Sequence, residues 1–240
     1  MSSALTGRIA LVTGASRGIG AATALALAKA GAHVVAVART VGGLEELDDA
    51  IRAIGGSATL VPLDLKDLEG IAQLGAALNE RYQRLDILVG NAGILGPLSP
   101  LAHVEPKAWH EVIAVNVTAN WQLIRCMDPL LRLSPAGRAV FVGTGVRVRA
   151  YWGPYAVSKA ALDTLVRTYA AETKTTAIRA NIFNPGRTRT RMRAQAMPGE
   201  DRDTLPAPEG AAAGIVELCA PELDLTGGFY DYPSRSWRAD

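Results

Sequence analysis

Tyr155 and Lys159 stand four residues apart in the stretch YWGPYAVSK, at 151–159, and that spacing puts a phenol and an ammonium on one face of a helix. Such a pair could exchange protons with a bound substrate. The same stretch also reads as the start of an amphipathic helix that carries two aromatic rings. Tyr151 is the competing phenol, but no lysine follows it at the same spacing. A free tyrosine titrates near 10, so work near neutrality needs a shift of roughly 3 units, about 4 kcal/mol. A second candidate lies far upstream, in TGASRGIG at 13–20. Gly14, Gly18 and Gly20 permit a tight turn and a close approach of backbone to a ligand. A helix starting there would aim free N–H groups and its positive dipole end at a phosphate.

Both candidates depend on the elements around them. Short β-branched runs at 9–13, 33–38, 58–63, 87–91, 139–143 and 179–184 are apolar on both faces, as parallel strands covered by helices are. A weaker seventh run occupies 228–232. Helix-sized segments lie between them at 19–30, 43–54, 67–81, 107–133, 154–173 and 207–219. Gly31 follows the first where a glycine stop belongs, Pro106 suits the opening of the fourth, and Pro129 should kink or end it. This alternation predicts an α/β, single-domain, doubly wound Rossmann-like fold over 1–240, with a mostly parallel sheet of about seven strands and helices on both faces. The glycine turn then joins the first strand to the first helix, the context a phosphate site requires. The Arg- and Pro-rich stretch 186–205 reads as a lid or binding loop.

Composition narrows the partners. With 49% hydrophobic and 20% charged residues, the chain suits a globular protein with a large core. A net charge of +2 gives no reason to expect nucleic acid. Cys126 and Cys219 read as buried thiols in a reducing compartment, with neither a disulfide nor a metal site expected. The opening MSSALTGRIALVTG lacks a leader's apolar stretch, and no apolar run is long enough to cross a bilayer, so the expected location is the cytoplasm and no membrane partner is expected.

The spacing G-x-x-x-G-x-G, together with YAVSK, resembles the short-chain dehydrogenase/reductase family. The resemblance spans the chain in the family's order: TGASRGIG, PLDLKD, GNAG at 90–93, Asn116 in VNV, YAVSK and NPGRTRT at 184–190. It implies an oxidoreductase that passes a hydride between a nicotinamide cofactor and a carbonyl or secondary alcohol. Tyr155 would be the acid, Lys159 would tune it and hold the nicotinamide ribose, and Asn116 would hold a relay water. Asn116 otherwise reads as a packing residue within a helix. Ser16, Arg17, Gly18, Ile19 and Gly20 would join Gly14 around the diphosphate. Asp64 and Leu65 would meet the adenine, though Asp64 also reads as a helix cap. Asn91, Ala92 and Gly93 would line the groove, Pro185 and Gly186 would turn beneath the nicotinamide, and Thr188 and Thr190 would reach its carboxamide and the pyrophosphate. The second strand ends in Ala38 and Arg39, without the acid that binds ribose hydroxyls and repels a 2′-phosphate. Arg39 and Arg17 therefore favour NADP(H) over NAD.

One catalytic position departs from the family pattern. Counting thirteen residues back from Tyr155 reaches Val142, which has no hydroxyl. Aligning the strand instead puts Thr144 in the family serine's place, with the loop at 146–151 shortened. Thr144 offers a hydroxyl, but its β-branch restricts the rotamer. A reading in which the chain binds NADP as a sensor or scaffold with weakened catalysis therefore stands beside the enzyme reading. A phosphate-sugar epimerase or lyase is a third, for which the chain has little room. Arg147, Arg149, Arg187, Arg189, Arg191 and Arg193 suggest an anionic or acyl-thioester substrate, or a solvated basic surface paired with Glu200 and Asp201. Trp109, Trp121, Met192 and Met197 would shape the pocket only if they face it. The resemblance further implies a homodimer or homotetramer built on 107–133 and 154–173, and the ending FYDYPSRSWRAD leaves the tetramer contact open.

Overall fold

Runs that are apolar on both sides must be covered on both sides, and the strands are arranged accordingly. In the computed structural model, which describes residues 4–238, the strands are β1 (Ile9–Thr13), β2 (His33–Ala38), β3 (Ser57–Pro62), β4 (Ile87–Gly90), β5 (Arg138–Val142), β6 (Arg179–Asn184), β7 (Phe229–Asp231) and β8 (Ser236–Arg238). The helices are α1 (Gly18–Lys29), α2 (Val41–Ala53), α3 (Leu68–Tyr82), α4 (Pro106–Ile113), α5 (Ala119–Arg132), α6 (Gly153–Glu172), α7 (Arg191–Ala196) and α8 (Pro208–Leu218). One sheet runs in the order β3-β2-β1-β4-β5-β6-β7-β8. Its first seven strands are parallel and β8 pairs antiparallel with β7.

Alternate residues along each strand feed two apolar layers. Leu11, Val35, Leu88 and Phe141 pack with Ile71, Leu123 and Leu162 from α3, α5 and α6. Ala10, Val12, Val34, Val89 and Val140 pack with Leu27, Leu44 and Ile215 from α1, α2 and α8. The strand order reverses between β1 and β4, and the crevice above their carboxyl ends is where a ligand fits such a sheet. Gly31 ends α1 at φ +98°, the left-handed stop its position predicts.

Among the described residues the sheet has eight strands, in keeping with the mostly parallel sheet of about seven that was expected; β8 is three residues long and mostly exposed, too short to carry a pattern. It is held by Trp237 against Tyr230, with ring centroids 5.0 Å apart. The helix expected at 107–133 is broken by a π-helical turn at Ala114–Thr118, and Pro129 does not end α5, which continues to Arg132. Cys126 is only half-buried, whereas Cys219 is buried; both thiols are free.

Candidate active site

The crevice is built first by Thr13, which ends β1. Its hydroxyl accepts the Asn91 and Ala92 N–H groups at 3.0 and 3.1 Å, joining the exits of β1 and β4. Asn91 Nδ2 donates to the Thr13 carbonyl at 2.8 Å. Gly14 and Gly18 take φ of +65° and +57°, and a Cβ on Gly20 would collide with the Gly14 carbonyl. Arg17 sits at the N-cap of α1 with extended backbone; among the described residues no side chain caps this end, and 18–21 carries no acid. The helix start is thus shaped and polarised for a diphosphate, so a dinucleotide's phosphates fit it.

All the sequence-predicted site residues except Gly20 and Asn116 line one cavity of about 500 Å3. Gly20 lies behind the turn, where its lack of a side chain permits the close packing. At the adenosine end, Arg17 and Arg39 line the cavity, and Arg39 Nη1 lies 3.9 Å from Asp64 Oδ2, an exposed and weak pairing. Asp64 does not cap the next helix: its Oδ1 accepts the Lys66 N–H at 3.0 Å, and Asp67 caps α3 through Gly70. On the opposite wall the Thr188 hydroxyl donates to the Pro185 carbonyl at 3.3 Å, and Thr190 caps α7 by accepting the Arg193 N–H at 3.1 Å. The segment expected as a loop thus contains a helix one and a half turns long.

Val142 and Thr144 divide the work that counting could not assign. The Val142 side chain is buried in the core, and its carbonyl accepts Lys159 Nζ at 2.7 Å. Thr144 lines the cavity with Tyr155. Burial pushes the Tyr155 phenol up from its ordinary value, and the Thr144 hydroxyl works against that. In the protein by itself, removal of water from the phenol is the larger of these two influences. Burial also lowers the Lys159 ammonium to about 8.

Asn116, in the π-helical turn, accepts the Ile94 N–H at 2.8 Å and donates to the Ile94 carbonyl and to Ser158 Oγ, both at 2.9 Å. Its side chain staples the β4 exit to α6, and Asn120 takes one lone pair of its carbonyl at 2.9 Å. A Cβ on Gly93 would stand 3.3 Å from Asn116 Oδ1 and 3.5 Å from Lys159 Nζ, so glycine there lets the two approach.

Tyr151 is exposed and takes φ +70° in the shortened loop. The residue overlooked in the sequence is Trp152, which lines the cavity edge-on to Tyr155 with ring centroids 6.0 Å apart. Its position within YWGPYAVSK was the available signal. Leu95 and Ala196 complete a buried apolar cluster with Trp152 and Tyr155, joined by Val146, Met192 and Met197. Trp109 lines a separate surface hollow and Trp121 is half-exposed under Arg125. Most of the arginines are committed elsewhere. Arg193 and Arg187 pair with Glu200, Arg147 with Asp163, Arg189 weakly with Asp203, and Arg149 lies over Trp152.

Comparison with known proteins agrees with this geometry. The short chain dehydrogenase family model matches residues 8–201. An Escherichia coli K12 protein named uncharacterized oxidoreductase YciK is 39% identical over 209 residues, covering 85% of this chain and 82% of its own. The rhamnolipids biosynthesis 3-oxoacyl-[acyl-carrier-protein] reductase of Pseudomonas aeruginosa is 35% identical, covering 93% of this chain and 90% of its own. A Shigella flexneri short chain dehydrogenase solved in complex with NADP superposes with a TM-score of 0.93 at 36% identity, covering 97% of this chain and all of its own, 100%. The chain belongs to the short-chain dehydrogenase family of oxidoreductases.

Proposed function

We propose that the protein is an NADP(H)-dependent oxidoreductase that interconverts a carbonyl and a secondary alcohol. The observation that carries this reading is the meeting of Thr144, Tyr155 and Lys159 in the same cavity as the glycine turn. When bound, the cofactor supplies or accepts the hydride. Arg17 and Arg39, with Ala38 in place of an acid, suit a 2′-phosphate, and the NADP complex of the Shigella relative supports that choice.

The chain's own residues supply the rest. Tyr155, kept protonated by burial, donates its phenolic proton to the carbonyl oxygen during reduction. Thr144 donates a hydrogen bond to the same oxygen and stabilises its developing charge. Lys159 uses one N–H on the Val142 carbonyl and keeps two for the ribose hydroxyls and for returning a proton to Tyr155. Asn116 positions Ser158 and the β4 exit.

The wall beside Tyr155 favours a carbonyl carrying an apolar group over a small anion, since Leu95, Val146, Trp152 and Met192 line it. An acyl thioester, the substrate class in the Pseudomonas relative's name, fits that wall through its acyl chain. NADPH oxidation against alkanones, cycloalkanones, 3-oxoacyl thioesters and 2-oxo acids tests the proposal. Turnover of the apolar carbonyls that disappears in Tyr155→Phe is expected. Tight NADPH binding with no turnover on the panel would leave a binding protein instead.

A further inference from the structure

The chain's last hairpin meets the active site at a point that the catalytic groups do not explain. Asn184, the final residue of β6, is buried beneath the Thr144 loop. Its Oδ1 accepts the Gly145 N–H at 3.0 Å and the Gly186 N–H at 3.2 Å. Its Nδ2 donates to Asp231 Oδ1 at 2.6 Å. Asp231 belongs to β7 and is itself buried. Arg238 of β8 donates to the same Oδ1 at 2.8 Å, and the Ser234 hydroxyl donates to Oδ2 at 2.6 Å. Gly186 is held from beneath as well, since its φ is +69° and a Cβ there would collide with Pro233.

Donor and acceptor chemistry gives this arrangement a direction. An amide side chain can present either end, and swapping the ends costs little where neighbours accept either. An ionised carboxylate only accepts, so Asp231 must face the Asn184 NH2 group. The amide oxygen is then forced toward Gly145 and Gly186, the residues that follow Thr144 and Pro185. Burial opposes the charge on Asp231, but hydrogen bonds from Ser234 and Asn184 and the Arg238 charge outweigh it and hold the carboxyl below its ordinary range. The carboxylate therefore stays ionised throughout the neutral range.

We propose that Asp231 is a positioning residue of the active site: through Asn184 it sets the backbone at Gly145, and so the aim of the Thr144 hydroxyl at the substrate oxygen. Arg238 secures it, which makes the C-terminal hairpin part of the catalytic scaffold. The inference rests on the carbonyl–alcohol reading for its kinetic consequence and on geometry alone for its structural one.

Exchanging donor and acceptor tests it. Asn184→Asp sets two carboxylates face to face at pH 8, and kcat is expected to fall about 10- to 100-fold. Adding Asp231→Asn restores a donor opposite an acceptor, and the double variant should return to within about threefold of wild type. Amide hydrogen exchange over 143–146 should quicken in Asn184→Asp and recover in the double variant. A general structural role predicts no such recovery, so a double variant no better than Asn184→Asp overturns the proposal. Unchanged kcat and exchange in Asn184→Asp would overturn it equally. If Asn184→Asp does not fold, Asp231→Ala replaces it, and unchanged exchange over 143–146 is then the overturning result. If wild-type protein turns over no carbonyl substrate, the functional reading fails while the exchange arm still decides this one.

Discussion

The two edges of the sheet both bury cations, and they treat them differently. At the amino edge, Arg138 gives hydrogen bonds to the carbonyls of Ala220, Gly137, Ala177 and Pro221 at 2.5–3.2 Å. Asp86 beside it accepts from Ile9, Arg84 and Ser134, and Arg8 reaches the carbonyls of Ala136 and Asp86. Nearly every donor and acceptor is spent on the fold; among the described residues Arg8 Nη1 is left without a partner. At the carboxyl edge, Lys159 is as deeply buried but has the Val142 carbonyl as its hydrogen-bond acceptor, beside a cavity of about 500 Å3. Polar capacity spent internally stabilises; capacity left over beside a cavity is available to a ligand.

Experiments can press on this contrast. The largest effect belongs to the carboxyl edge: Tyr155→Phe should cost about 10²–10⁴ in kcat with NADPH affinity unchanged, measured by NADPH oxidation and fluorescence titration. Loss of NADPH binding in that variant would show that the hydroxyl helps to hold the cofactor rather than acting only on the substrate. At the amino edge, Arg138→Met strands several buried carbonyls and should destabilise the fold by about 3 kcal/mol or more. Thermal unfolding should then fall by roughly 6–12 °C, with turnover per folded molecule retained. An equal loss of specific activity would mean that the two edges are coupled.

Lys159→Met should act in the opposite sense on stability. The ammonium titrates at about 8 in the fold against 10.5 when unfolded, so below 8 the folded protein carries a penalty of up to about 3 kcal/mol. Between those values the unfolded chain holds more protons, and stability should rise with pH. Denaturation of the variant should show a more stable protein at pH 7, without that rise and without turnover. A variant less stable than wild type would mean that the bond to Val142 outweighs desolvation. The smallest effect is at the cavity's exposed rim, where Arg39→Ala should cut the preference for NADPH over NADH about tenfold, roughly 1.4 kcal/mol, in ratios of kcat/KM. An unchanged ratio would assign the 2′-phosphate to Arg17 alone.

Much of this contrast was legible in the sequence. Strands apolar on both faces need two helical layers, so the doubly wound sheet followed from the runs themselves. The glycine turn was readable because a backbone at positive φ tolerates little else at Gly14 and Gly18. Other features were hidden for physical reasons. The π-helical turn at Asn116 depends on bonds to Ile94 and Ser158, which lie 22 and 42 residues away. Cavity-facing Trp152 and surface Trp121 are the same residue type in sequence; only packing separates them. The mouth arginines read equally as an anion site or as a solvated basic surface, and only the structure shows Arg187 and Arg193 engaged by Glu200 and Arg147 by Asp163.

What the sequence by itself determined is therefore whatever local chemistry enforces: the strand and helix periods, the phosphate turn, and a phenol one helical turn from an ammonium. Only the tertiary structure decided how those groups are tuned. Burial raises Tyr155 and lowers Lys159, and desolvation is a property of everything packed around a group rather than of its neighbours in the chain. It also decided that the hydroxyl sharing the cavity with Tyr155 is that of Thr144, whereas Val142 at the end of β5 is buried and offers its carbonyl to Lys159.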